Sequence, residues 1–265
     1  VNPNAPAQLS AVAAALASSR PLALLDDAVD VWAFPLIADD AEVAACASLL
    51  SGDERRRAAR FLDERDASRF TIARGVLRSV LARYCFAAPA TLQFAYGTTG
   101  KPRLVGALAT AGQICFNLSH SDAVALLAVA PFEVGADLER DRSNIDVSAI
   151  AGRYFFGAEA ARVLTAPPER RTEVFLRHWV AKESVLKGAA LGIGFGLDRF
   201  HVRLATADAS VADVETLAPE SVAPDWQVHL LGGIAAHYVA IAARGAEWRI
   251  RSQFVQLPEC AGLTS

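Results

Sequence analysis

The stretch ICFNLSHSDAVALLAVAPFEVGADLE, residues 114–139, reads as three strands in succession. Ile114–Leu118 and Val124–Val129 are apolar runs parted by a polar turn, and Pro131-Phe132-Glu133 turns the chain into Val134–Leu138. That pattern predicts a sheet fed by hairpins. Side chains of a strand alternate between faces, so Asp137 and Glu139 share one face at the end of an apolar run. Two like charges so close need a counterion, unless the strand has simply reached solvent. Asn117, Ser119, His120 and Ser121 gather amide, hydroxyl and imidazole groups where the first strand stops. Such groups can hydrogen-bond to phosphate oxygens, although a polar turn has the same composition.

Outward toward the C-terminus, FLRHWVAKESVLKG, residues 175–188, belongs to a long helix predicted over Thr172–Gly188. At about 100° per residue Glu183 projects between Trp179 and Leu176, inside an apolar arc, with Lys187 beside Val180. A buried carboxylate must protonate, pair or bind a cation. Lys187, four residues on, is one partner; another solution adds Glu183 to Asp137 and Glu139 as an oxygen-rich site for a hard cation such as Mg²⁺. Strands follow at Phe200–Leu204, Gln227–Leu231 and Tyr238–Ala243. QVHLLGGIAAHYVAIAARGAEWRI, residues 227–250, can be laid beside the opening stretch with similar apolar spacing, which suggests two related α/β lobes.

Outward toward the N-terminus, Gly97-Thr98-Thr99-Gly100-Lys101-Pro102 is a turn able to hold a lysine stem and nearby backbone against a flat or anionic ligand. It is too short for a phosphate loop of the GxxxxGK[ST] form. Asp66–Tyr84 is predicted as a long helix with Phe70, Leu77 and Leu81 in an apolar stripe and Arg74 and Arg78 one turn apart, placed to converge on one anion. Before it, Arg55–Arg65 and Ala41–Leu50 read as helical around a turn at Ser51-Gly52-Asp53, after a first strand at Val29–Pro35. Arg57 and Arg69 could each grip a phosphate bidentately.

Composition bounds the partners. The 265 residues are 53% hydrophobic and 21% charged, enough for one large core or two small ones. A net charge of -3 argues against nucleic acid, which selects basic proteins. Nine arginines nevertheless fall between Arg55 and Arg83, the mark of a local anion site. Cys46, Cys85, Cys115 and Cys260 have no paired or metal-ligand spacing and are expected to be buried thiols in a reducing cytoplasm. The Ala-, Ser- and Pro-rich start suggests a loosely held arm over residues 1–28. Its apolar run lacks a basic leader, and no stretch is long enough to span a membrane.

Taken in order, GKP, FNLSHS, VGADLE and HWVAKESVLKGAALGIGFGL, with FLDERDASR ahead of them, resemble the motif series of the Sfp-type 4'-phosphopantetheinyl transferases, from about Leu49 to Leu204. The resemblance implies an α+β fold of two pseudo-symmetric α/β lobes, residues 29–133 and 134–265, with coenzyme A in the cleft between them. It implies Mg²⁺ held by Asp137, Glu139 and Glu183. The cofactor would be bound by Arg57 and Arg69 at its 3'-phosphate, by Thr99, Lys101 and Pro102 on the adenine side, and by Asn117, Ser119, His120, Asp137 and Lys187 toward its phosphates. Glu183, Lys187 and His120 are the implied catalytic residues, with Glu183, directly or through a water, or Lys187 as the base. The carrier's serine would attack the phosphorus bearing pantetheine, and 3',5'-ADP would leave. Glu54 departs from the pattern, because some relatives place a phosphate-binding lysine there. The implied partner is a small acidic apo carrier protein, with no nucleic acid or membrane, and the implied form is a cytoplasmic monomer. Two other readings are a non-catalytic coenzyme A or carrier-binding module, and an acyltransferase using His120 in an HxxxD motif. The second lacks its aspartate, since Val124 stands four residues beyond His120.

Overall fold

A computed structural model describes residues 20–106, 114–141, 145–206, 208–216, 225–234, 236–245 and 247–254. Most of the expected N-terminal arm and Cys260 lie outside the described residues. The fold is α+β. The first half contains β1 (Ala28–Pro35), α1 (Asp40–Leu49), α2 (Gly52–Ala58), α3 (Glu64–Cys85), a short β2–β3 hairpin (Phe94–Tyr96 and Pro102–Leu104), β4 (Cys115–Ser121) and β5 (Val124–Ala130). The second contains β6 (Val134–Arg140), α4 (Val147–Tyr154), α5 (Gly157–Thr165), α6 (Pro168–Gly188), β7 (Phe200–Leu204), β8 (Val211–Thr216), β9 (Trp226–Leu231), β10 (His237–Arg244) and β11 (Arg249–Phe254).

Two larger sheets result, in strand orders β11-β1-β5-β4 and β6-β10-β9-β8-β7. They stack face to face, and the chemistry of β1 and β5 explains why. Both strands are buried on both sides and, Asp30 apart, apolar, so each face needs a cover. One face carries Trp32, Phe34, Leu127 and Val129 against Ile72, Val76, Leu77 and Val80 of α3. The other carries Val31, Ala33, Leu126 and Ala128 against Ala136 and Leu138 of β6 and Val239 and Ile241 of β10. On the far side of the second sheet, Val180, Ala181 and Val185 of α6 pack on Val202, Val228, Ala240 and Ala242. The layers therefore run helix, sheet, sheet, helix, and each buried large aliphatic side chain contributes about 1.5–3 kcal/mol relative to exposure.

Several boundaries differ from expectation. The Arg55–Arg65 helix ends at Ala58, and α3 begins only at Glu64, after the N-cap Asp63. In the segment between them only Phe61 finds an apolar contact, the Phe70 ring, and Leu62 is fully exposed. The supposed turn at Ser51-Gly52-Asp53 is the start of α2, where Ser51 and Glu54 form a capping box. Helix α6 begins at Pro168, four residues earlier than predicted, with proline in its first turn. Strand β11 pairs in parallel with β1, so residues 249–254 complete the sheet of the first half. Cys46 and Cys85 are buried free thiols, whereas Cys115 is only half-buried. Burial pushes the Cys46 thiol up to about 12.

Candidate active site

Strand β4 is an edge of the first sheet and β6 an edge of the second, and the free backbone edge of β6 needs partners. The period of two supplies them. Asn117, Ser119 and Ser121 share the face of β4 that meets β6. Asn117 Oδ1 accepts from the Ala136 amide at 3.0 Å, and Ser121 Oγ accepts from the Arg140 amide at 3.2 Å. Ser119 Oγ donates to Asp137 Oδ1 at 3.0 Å, and Ser121 Oγ donates to Glu139 Oε2 at 2.9 Å. The polar cluster read from sequence thus stitches the two sheets together and fixes both carboxylates. Ser121, read from the sequence as one of the groups of this cluster, serves Glu139, and the Asn117, Ser119, Ser121 alternation puts it on the β6 side.

Helix α6 brings Glu183 and Lys187 onto this strand. It can approach because Gly135 and Gly188 let backbone meet backbone: a Cβ on Gly135 would stand 1.9 Å from the Ser184 carbonyl oxygen and 2.4 Å from the Gly188 amide nitrogen. Lys187 Nζ donates to Asp137 Oδ1 and to Ser119 Oγ, the latter at 2.9 Å. The helix pair Glu183–Lys187 anticipated from sequence is therefore not formed.

Asp137 is 2% exposed and Glu183 is 7% exposed. Burial, opposed by Lys187 and reinforced by Glu139, pushes the Asp137 carboxyl up to about 6. Burial and the charges of Asp137 and Glu139 push Glu183 up to about 7, against the pull of Lys187. Asp137 Oδ2 and Glu183 Oε1 are buried without a hydrogen-bond partner. Two hard, partnerless oxygens beside a third carboxylate fit a cation such as Mg²⁺. Among the described residues, however, no three His, Cys, Asp or Glu side chains are gathered as a ligand cluster. Glu139 is held by Ser121.

The remaining candidates divide. His120 points from the opposite face of β4 into a cleft of about 690 Å³ that Arg57, Arg69, Tyr96, Pro102 and Glu139 also line. Its side chain is open to the cleft, yet partial desolvation, then Lys187 and Arg69, hold its pKa below the ordinary histidine value. Arg57 lies over the Phe70 ring at 5.3 Å. Arg69 is steadied by Asp122 at 3.1 Å, and Asp122 also pairs with Arg140. Asp122 is a further residue the sequence did not disclose; it sits at the β4–β5 turn with a φ of 52° and lines the same cleft.

Arg74 and Arg78 do converge on one anion, and it is the protein's own Glu54, at 2.7 and 2.6 Å. Burial would raise the Glu54 pKa, but the Arg74 charge, the Ser51 amide and the two arginine hydrogen bonds outweigh it and hold the carboxyl below its ordinary value. Lys101 and Thr99 turn away from the cleft. Lys101 Nζ donates to the carbonyls of Gly188 at 2.7 Å and Val134 at 3.0 Å, and Thr99 Oγ1 to that of Ala190 at 3.0 Å. Among the described residues no helix is long and apolar enough to cross a membrane.

A family model described as "4'-phosphopantetheinyl transferase superfamily" matches residues 133–242, and one described as "4'-phosphopantetheinyl transferase, N-terminal" matches residues 38–132. The 4'-phosphopantetheinyl transferase HetI of Nostoc sp. is 34% identical over 86% of this chain and 92% of its own length. The 4'-phosphopantetheinyl transferase Sfp of Bacillus subtilis (strain 168) is 29% identical over 59% of this chain and 67% of its own. An L-aminoadipate-semialdehyde dehydrogenase-phosphopantetheinyl transferase of Xenopus laevis is 27% identical over 69% of this chain and 64% of its own.

Proposed function

The chain belongs to the 4'-phosphopantetheinyl transferase superfamily, and from that membership we propose that it moves the 4'-phosphopantetheine arm of coenzyme A onto a serine of an apo carrier protein, releasing 3',5'-ADP. The observation that carries this reading is the pair of partnerless buried oxygens on Asp137 and Glu183, with Lys187 on Asp137 and with Glu139, two residues along the same strand, lining an arginine-bearing cleft.

Phosphoryl transfer asks the protein for an in-line nucleophile, an acceptor for its proton and positive charge around the moving group. Arg57 and Arg69 bind the 3'-phosphate end of coenzyme A at the α2–α3 side of the cleft. His120 hydrogen-bonds its phosphates, and Lys187 offsets negative charge at the reacting centre. Glu183, directly or through a water, takes the proton of the carrier's serine. The new bond joins the serine oxygen to the phosphorus that carries pantetheine, and the bond from that phosphorus to the 3',5'-ADP oxygen breaks. Asp137, Glu183 and Glu139 would hold Mg²⁺, whose charge would offset that of the pyrophosphate. The resemblance supports a small acidic carrier domain and a monomer, and the unpaired cysteine spacing supports a cytoplasmic setting.

The test is intact-mass analysis of several apo carrier proteins after incubation with this protein, coenzyme A and Mg²⁺, beside a chelator control. A chelator-sensitive gain of one phosphopantetheine arm supports the reading. Retained coenzyme A binding with no gain on any carrier would replace it with a non-catalytic binding module.

A further inference from the structure

We propose that Lys101 is a positioning residue, whose ammonium ties the end of α6 to the start of β6 and so sets the distance between Glu183 and Lys187 on one element and Asp137 on the other. The inference rests on the function proposed above and deepens it. The two carbonyls that Lys101 bridges come from parts of the chain 87 and 33 residues away, Gly188 and Val134. Gly188 ends α6, so its carbonyl has no onward helical partner and sits at the negative end of the helix dipole, where a cation is favoured. Val134 opens β6 and is fully buried.

The tie spans the place where the two elements are closest. Gly135 and Gly188 meet there without side chains between them, and Thr99 adds a second strap to Ala190, just past the helix end. Asp137 lies three residues beyond one anchor, and Lys187 directly before the other. A lysine suits the task because one ammonium serves two acceptors, and among the described residues it forms no ion pair that would draw it away. The hairpin that presents Pro102 to the cleft therefore uses its lysine inward. Small displacements count here, since about 1 Å of misplacement can cost on the order of 100-fold in rate.

The test compares Lys101→Met and Lys101→Arg with the parent. Lys101→Met is expected to lower kcat about 10- to 100-fold while the coenzyme A dissociation constant, measured by calorimetry, moves less than about threefold. Lys101→Arg, which restores two donors, should recover most of the lost rate. Amide hydrogen exchange on the ligand-free protein should quicken in Lys101→Met at residues 184–190 and 134–137. A dissociation constant raised about tenfold or more with kcat retained would make the amine a coenzyme contact and overturn the proposal. Unchanged kcat, affinity and exchange would overturn it equally. If Lys101→Met does not fold, Lys101→Gln is read by the same criteria. If the parent transfers nothing to any carrier, the functional reading fails by itself, and exchange at the two segments still decides whether the tie exists.

Discussion

The ammonium of Lys187 rests on Asp137, across the junction of helix and strand, and not on Glu183 one turn earlier in its own helix. The consequence is an uneven sharing of charge. Asp137 has a direct cationic partner, while Glu183 feels Lys187 only at a distance, and burial raises both carboxyls, to about 6 and about 7.

Glu183→Gln should therefore separate activity from stability. Transfer is expected to fall by about 10²- to 10⁴-fold. The folded-state pKa is raised from 4.5 to about 7, so the folded protein binds the proton more tightly than the unfolded chain. Stability from this carboxyl is complete below about pH 4.5 and declines as pH rises through about 7. In metal-free buffer at pH 8 the variant should then be more stable than the parent, by on the order of 1–3 kcal/mol, and the two should converge near pH 4. Thermal melts in chelator at both pH values test the sign.

Gly135→Ala should loosen the whole site. Its Cβ would fall 1.9 Å from the Ser184 carbonyl oxygen, a backbone atom that cannot swing aside. A loss of about 3 kcal/mol or more, read by urea denaturation, should accompany lost transfer. A variant as stable and active as the parent would show that the helix and strand need not touch.

Arg69→Ala tests which end of coenzyme A meets α3. Losing a charge-assisted contact should raise KM for coenzyme A roughly 10- to 100-fold. With 3'-dephospho-coenzyme A the difference between variant and parent should vanish, because the group that Arg69 serves is gone. An equal penalty on both substrates would place the arginine at another phosphate.

Glu54→Ala should destabilise the fold by about 3–5 kcal/mol, since Arg74 and Arg78 would remain buried without their shared counterion and α2 would lose part of its cap. Equilibrium unfolding in urea measures it. A change below about 1 kcal/mol would mean that solvent reaches the two guanidinium groups.

What was readable in the sequence followed short periods. The β4–β6 strands and the shared face of Asp137 and Glu139 follow from alternation, and the burial of Glu183 follows from helical spacing. Helix α5, GAEAARVLT, is short and opens on a glycine without a polar capping residue, and β11 is hidden because RIRSQF alternates with charges that read as surface. Partnerships across long separations left no local trace. Nothing near Lys101 announces Gly188, nothing near Asp30 announces Arg251, and the anion of Arg74 and Arg78 proved to be Glu54 because its location depends on how α2 folds back onto α3. The resemblance implies Lys101 among the ligand contacts; in the structure its ammonium meets the Gly188 and Val134 carbonyls.

The parallel pairing of β11 with β1 bears on how the chain is made. Arg251 reaches Asp30 across 221 residues, and Asp30 is 2% exposed on a strand whose neighbours are apolar. On a ribosome adding roughly 5–20 residues per second, some 10–40 s pass between the two. During that interval β1 offers an open edge, and its carboxylate has no guanidinium to meet it. The early half emerges without the strand that closes its sheet, so its stable form waits on residues translated far downstream, and a nascent chain halted before Arg249 leaves the tunnel with that edge exposed.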